Sequence, residues 1–251
     1  MAAGAASLYG LRSNNLEIVR TNPSSGVIRG IRVALISDMH APHELVGDRT
    51  ITQAVIEFDP HFVFILGDSI EEAGNESLVR FYDRLPARVA KYAVLGNWEY
   101  WGACDFQTLR TEYERGGTRL LVNERAEHDL QGLRVQIAGL DDFRASRQDL
   151  SVVRGMASDT GTLRMVLSHC PGPFPEIAKA APARIHTFSG HTHGCQIAPF
   201  GHAVFTPEGS GPYVAGWYAR NQHQLYVTRG VGNSGVPVRI GSRPEVTLVT
   251  V

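Results

Sequence analysis

The sequence predicts an α/β domain, and three observations carry that prediction. At 251 residues the chain is long enough to bury a large core. Short apolar runs recur along it, separated by segments with helical spacing. Most of these runs stop at a polar cluster, as expected where a sheet covered on both faces presents its strand ends to a ligand.

Taken in order, residues 31–37 form the first strand-like run, ending at Asp38-Met39-His40. Residues 49–58 have helical character. The run 61–66 ends at Gly67-Asp68, and Leu78, Phe81 and Leu85 have the spacing of a helix over 76–85. The run 91–95 then ends at Gly96-Asn97-Trp98-Glu99, completing a β-α-β-α-β pattern. In the second half, residues 133–138 lead into Gly139-Leu140-Asp141-Asp142, residues 163–167 into Ser168-His169-Cys170-Pro171, and residues 185–188 into Ser189-Gly190-His191-Thr192-His193. Two late β-like runs, 223–228 and 244–251, end without ligand-type residues and read as structural.

Composition narrows the function classes. With 43% hydrophobic and 20% charged residues the chain is globular. Its 24 basic and 25 acidic side chains leave a formal charge of −1, which provides no footprint for sequence-independent nucleic-acid binding. Cys104, Cys170 and Cys195 form no CxxC pair, so a disulfide framework and a thiolate zinc site are both disfavoured. No apolar run is long enough to span a bilayer, so the chain as given is expected to be soluble. Nothing in the sequence bears on oligomeric state.

Singly, Gly67-Asp68 and Gly96-Asn97 read as turn dipeptides and His169 as a buried histidine. Together, Asp, His and Asn at successive strand ends make an oxygen and nitrogen donor set suited to Mn²⁺ or Fe and compatible with Zn²⁺. In chain order these elements, D-x-H, G-D, G-N, H and G-H-x-H, resemble the motif set of the calcineurin-like metallophosphoesterases across residues 31–194. The likeness is closer to a bacterial, often membrane-anchored subgroup that includes UDP-diacylglucosamine pyrophosphatases. It rests on Leu8-Tyr9-Gly10, the Gly139–Asp142 tetrapeptide, His193-Gly194-Cys195-Gln196 and the segment 225–237.

That resemblance implies a four-layer α/β/β/α sandwich with two divalent or trivalent ions. Asp38, His40, Asp68 and His193 would hold one, and Asp68, Asn97, His169 and His191 the other, with Asp68 shared. A hydroxide between the ions would be the nucleophile on a phosphorylated small-molecule or lipid-linked substrate. It divides the chain into a leader remnant and N-terminal extension, 1–30, and the phosphoesterase domain, 31–251. It also implies that a longer natural form is membrane-associated, the chain otherwise being cytoplasmic.

One position departs from the pattern. Where the family has G-N-H-[DE], this chain has Trp98, and an indole has no titratable proton near neutral pH. Three readings follow: a substrate whose leaving group is already a weak base, with Trp98 packing on it; a proton donor elsewhere; or a module that binds metal and phosphate without turnover. Glu99 and His43 are the nearest candidates for substrate contact or proton donation, with His202 and His223 further along. Tyr100, Trp101, Tyr213, Trp217 and Tyr218 are candidates for an apolar groove. Asp141 and Asp142 read as partners of a ligating histidine or caps for a helix starting near Ser146. The glycine-rich stretch 221–235 reads as a loop whose N–H groups face the site.

Overall fold

The computed structural model describes residues 15–23, 29–40, 48–70, 76–102, 104–235 and 238–251. Its strands form two six-stranded sheets. The first contains β1 (Glu17–Thr21), β2 (Arg32–Ile36), β3 (Phe62–Ile65), β4 (Ala90–Ala93), β5 (Arg119–Leu120) and β12 (Glu245–Thr250), in the order β1-β12-β2-β3-β4-β5. The second contains β6 (Glu124–Leu130), β7 (Leu133–Gly139), β8 (Leu163–Leu167), β9 (His186–Ser189), β10 (Gly216–Arg220) and β11 (His223–Val227), in the order β10-β11-β9-β8-β7-β6. β2 through β5 are parallel, as are β7, β8, β9 and β11. Antiparallel pairing is confined to β12 on β2 and to the hairpins β6-β7 and β10-β11.

The layering follows from period-two alternation in strands buried on both faces. In β2, Val33 and Leu35 point into the space between the sheets, with Phe62 and Phe64 of β3 and Met165, Leu167 and Phe188 of the second sheet. Ala34, Ile36, Val63 and Ile65 face the other way. They pack under α1 (Asp48–Phe58), α2 (Glu76–Arg84) and α4 (Phe106–Arg115) through Ile51, Val55, Phe81, Leu109 and Tyr113, the short α3 (Asn97–Trp101) falling between α2 and α4 in the chain. On the far side, Ala138 and Val166 pack on α5 (Ser151–Arg154) and α6 (Phe174–Ala180) through Val153 and Ile177. The result is the α/β/β/α sandwich expected. Each buried Phe or Leu side chain between the sheets contributes about 1.5–3 kcal/mol.

Two local expectations change. The helix anticipated near Ser146 begins at Ser151. Ser146 sits in the left-handed region at φ 56°, and Asp149 instead receives the Ser151 N–H at 2.8 Å. The late runs are structural, as anticipated, but the glycine-rich stretch 221–235 begins as β11, and the loop after it directs N–H groups to the backbone of the first polar loop rather than to the site. Val231 N–H donates to Ser37 O at 3.0 Å and Gly232 N–H to Asp38 O at 2.8 Å. These N–H groups brace the first polar loop.

Candidate metal centre

The parallel strands of both sheets end at one place. Asp38, Asp68 and Asn97 follow β2, β3 and β4; His169 follows β8, and His191 and His193 follow β9. The loops are stitched together by main-chain bonds: Asp38 N–H to Gly67 O, His40 N–H to Asp68 O and Gly190 N–H to His169 O, each at 3.0 Å. His191 N–H reaches across between the sheets to the Asp38 carboxylate at 3.0 Å. Gly190 permits this approach, because a Cβ there would collide with the Ser37 hydroxyl and lie 2.5 Å from Asp38 Oδ2.

Two groups of donors result, all buried: Asp38 with His40 and His193, and Asp68 with His169 and His191. His40 Nε2 lies 3.1 Å from His193 Nε2 and 3.9 Å from Asp68 Oδ2, and His193 Nε2 lies 3.5 Å from Asp38 Oδ1. His169 Nε2 is 3.1 Å from both Asp68 Oδ2 and His191 Nδ1. The tautomers follow from the partners: His169 Nδ1–H donates to Leu66 O at 2.6 Å and His191 Nε2–H to Glu208 O at 2.8 Å. Each histidine therefore turns its other nitrogen into the centre, the arrangement by which carbonyls orient metal-binding imidazoles.

The electrostatics of the cluster follow from burial and from its neighbouring charges. Burial opposes ionisation of Asp68, but the His169 imidazole outweighs it and holds the carboxyl well below the usual carboxylate range. Burial likewise opposes a charge on His169, yet Asp68 lifts it to about 10. Burial raises Asp38 to about 6 and lowers His191 to about 4. Burial and then the Arg239 guanidinium hold His193 well below its ordinary value, keeping it neutral, as a metal ligand must be. Asn97 Oδ1 is buried with no hydrogen-bond partner, an unusual cost that a cation beside it would remove. The donor set and this oxygen fit hard or borderline metal ions.

The centre forms part of the wall of a cavity of about 350 Å³ lined by Asp68, Asn97, His191 and His193 together with the apolar Trp98, Trp101, Ile197, Val204 and Phe205. Trp98 donates its backbone N–H to Asp68 Oδ1 at 2.9 Å, and its ring meets His40 edge-on at 5.5 Å and Trp101 at 5.6 Å.

A model of the calcineurin-like phosphoesterases matches residues 31–195. The chain belongs to that family. It is 26% identical to the uncharacterized metallophosphoesterase YkuE of Bacillus subtilis over 88% of this chain and 79% of that protein. It is also 26% identical to a transmembrane protein with metallophosphoesterase domain of Danio rerio, over 88% of this chain and 53% of that one. Among solved structures, NAD nucleotidase of Haemophilus influenzae superposes with a TM-score of 0.55 at 14% identity. That match covers 80% of this chain but 45% of the nucleotidase, and it bears on the fold.

The remaining sequence candidates fall in different places. Glu99 is fully buried, facing inward: its carboxylate accepts the N–H groups of Ser69 at 2.7 Å, Gly96 at 2.8 Å and Asp68 at 3.1 Å. His43 lies outside the described residues. His202 and His223 do not line the cavity. Of the aromatic candidates Trp101 lines it, while Trp217 packs on Tyr226 and Tyr213 on Tyr218 and Phe174. Tyr100 donates to Asp141, and Asp142 accepts from Ala145 N–H at 2.7 Å, so both carboxylates shape a loop rather than hold a ligating histidine. Among the described residues no helix is long and apolar enough to cross a membrane.

The sequence reading missed Arg239. Fully buried at the end of the late loop, it donates to His193 O at 3.1 Å and to Arg229 O at 2.9 Å, with Ser242 Oγ–H also on His193 O at 2.7 Å. An arginine in a loop without periodic pattern carries no sequence signal of burial.

Proposed function

We propose that the protein hydrolyses phosphoester bonds through two metal ions, Asp38, His40, Asp68 and His193 holding one and Asp68, Asn97, His169 and His191 the other. The observation that carries this reading is the convergence of two buried donor triads, with the unpartnered Asn97 oxygen, on the wall of one cavity. Bound ions supply Lewis acidity and lower the pKa of water to make a nucleophile near neutral pH. The chain's own contribution is to preset the ligands. Leu66 O and Glu208 O fix two imidazole tautomers, Glu99 pins the Asp68 and Asn97 loops, and the apolar wall excludes water around the leaving group.

Trp98 restricts the substrate. It occupies the place of a proton-donating histidine, and general acid catalysis is worth about 10²–10⁴-fold for a poor leaving group. Substrates whose leaving group departs unprotonated, aryl oxides or phosphates, lose little without it. The test loads the protein with Mn²⁺ and compares aryl phosphodiesters differing in leaving-group pKa. We expect two ions per chain and rates that fall steeply as that pKa rises. In Asp68→Asn, metal content should drop and turnover fall by about 10²-fold or more. Full metal content with unchanged turnover in Asp68→Asn would overturn the reading, and metal binding with no turnover on any substrate would make the protein a binder.

A second reading narrows the substrate to an amphiphile such as an acylated nucleoside-diphosphate sugar, at a membrane surface in a longer form. Seven large apolar side chains are exposed among the described residues. Four of them, Trp101, Ile197, Val204 and Phe205, line this cavity, and Phe200, 97% exposed, lies on the same segment as the last three. Such clustering marks an interaction site rather than ordinary surface.

A further inference from the structure

Among the described residues, and apart from its histidines, the cavity has one cationic wall residue, Arg144, in the loop that follows β7. Its position is built. Asp142 caps the loop at Ala145 N–H, and the guanidinium lies over the Trp101 ring with its carbon 5.2 Å from the ring centroid. Nη2 lies 2.9 Å from Glu208 Oε2 and Nη1 donates to Glu208 O at 3.4 Å. That same carbonyl receives the His191 Nε2–H, so one residue registers both the guanidinium and an imidazole of the metal centre. The Glu208 carboxylate is 84% exposed, which makes the ion pair weak, and it engages a minority of the five N–H groups an arginine presents. A fork of N–H donors on a cavity wall matches the oxygens of a phosphate.

Resting on the phosphoesterase reading, we propose that Arg144 is a catalytic residue that binds the leaving group when that group is itself a phosphate. Water oxygen bonds to the attacked phosphorus, the bridging P–O bond breaks, and its electron pair goes to the departing phosphate. Both water protons pass to solvent, one as the nucleophile forms and one from the product phosphate. The charge gained by the departing phosphate is met by the guanidinium instead of a proton, so the site with Trp98 in place of a histidine works best on phosphoanhydrides. Arg144 is thus a specificity determinant between phosphoanhydrides and aryl diesters.

The experiment compares wild type, Arg144→Gln and Arg144→Lys, all Mn²⁺-loaded, on UDP-glucose and on bis(p-nitrophenyl) phosphate. Binding of methylenediphosphonate is measured by calorimetry alongside. A charge-assisted phosphate contact is worth about 10–100-fold. We expect Arg144→Gln to lower kcat/KM on UDP-glucose by about that factor and to lower it on the aryl diester at least tenfold less. It should weaken methylenediphosphonate comparably, with Arg144→Lys recovering part of each loss. Equal losses on both substrates with unchanged methylenediphosphonate affinity would reduce Arg144 to a structural role. Wild-type turnover of the aryl diester with none of UDP-glucose would also overturn the proposal. If wild type turns over neither substrate, the phosphoesterase reading fails, and unchanged methylenediphosphonate binding in Arg144→Gln would then sink Arg144 separately.

Discussion

Five of the seven candidate ligands, Asp38, His40, Asp68, His191 and His193, have φ values of 56°, 50°, 49°, 72° and 50°. A non-glycine residue in the left-handed region costs about 1–3 kcal/mol unless its surroundings impose it, and such residues gather at functional sites. The surroundings here are identifiable. Gly67, at φ 84°, lies so close that a Cβ would sit 2.6 Å from Gly96 N and 2.7 Å from His169 Nδ1. Glu99 holds the Asp68, Ser69 and Gly96 N–H groups with one carboxylate. Glu99→Gln replaces one accepting oxygen by an amide that turns its own N–H toward those donors. The variant should lose about 1–3 kcal/mol of stability in denaturant unfolding of the metal-free protein, the cost of a buried unmatched donor, and should bind Mn²⁺ more weakly because Asp68 loses its anchor. Unchanged values for both would show that the clamp carries neither load. The candidate ligands were legible in the sequence because Asp, His and Asn at strand ends are out of place in an apolar pattern. The clamp was not: in the sequence Glu99 reads as a candidate for substrate contact or proton donation, and only folding shows it turned inward.

At the scale of elements, the loop 196–207 is unusual for what it exposes. Phe200, Val204 and Phe205 are 97%, 68% and 73% exposed on a segment without a charged residue. If they receive an acyl chain, Phe200→Ser with Phe205→Ser should cut kcat/KM for an acylated UDP-sugar by about 10-fold or more, since burying one Phe side chain is worth about 1.5–3 kcal/mol. The unacylated sugar should lose much less, and parallel losses would remove the amphiphile reading. The strands flanking the site were readable because burial on both faces leaves an uninterrupted apolar run, as in β3, whose four residues are all fully buried. β6 was not, because it lies at a sheet edge with alternating exposure and the sequence Glu-Arg-Ala-Glu-His-Asp-Leu. β5, two residues long, and β1, ahead of the first clear run, are defined by their neighbours rather than by their own pattern. The length of the apolar runs thus carried the inner strands, and tertiary pairing supplied the edges.

For the whole molecule, the consequence lies in where the donors originate. Asp38, Asp68 and Asn97 belong to the first sheet and His169, His191 and His193 to the second. Chain order hides that division, because β12 returns from the C-terminus to lie between β1 and β2, while β11 joins the edge of β9. A cation held by both sets joins the sheets at the open end of the sandwich, beside the His191 to Asp38 and His169 to Leu66 bonds. Binding to the folded state alone adds about 2.7 kcal/mol per site at a hundredfold excess over Kd. For a chain of this size that corresponds to a rise of about 5–10 °C in Tm per site. Mn²⁺ should therefore raise Tm by at least that much, and chelator should reverse it. Amide exchange should slow at residues 37–40 and 190–193 together, since one ion closes both loops. Asp68→Asn should lose most of the shift. An equal rise of Tm in that variant, or slowed exchange in only one of the two loops, would show that the ion does not bridge the sheets.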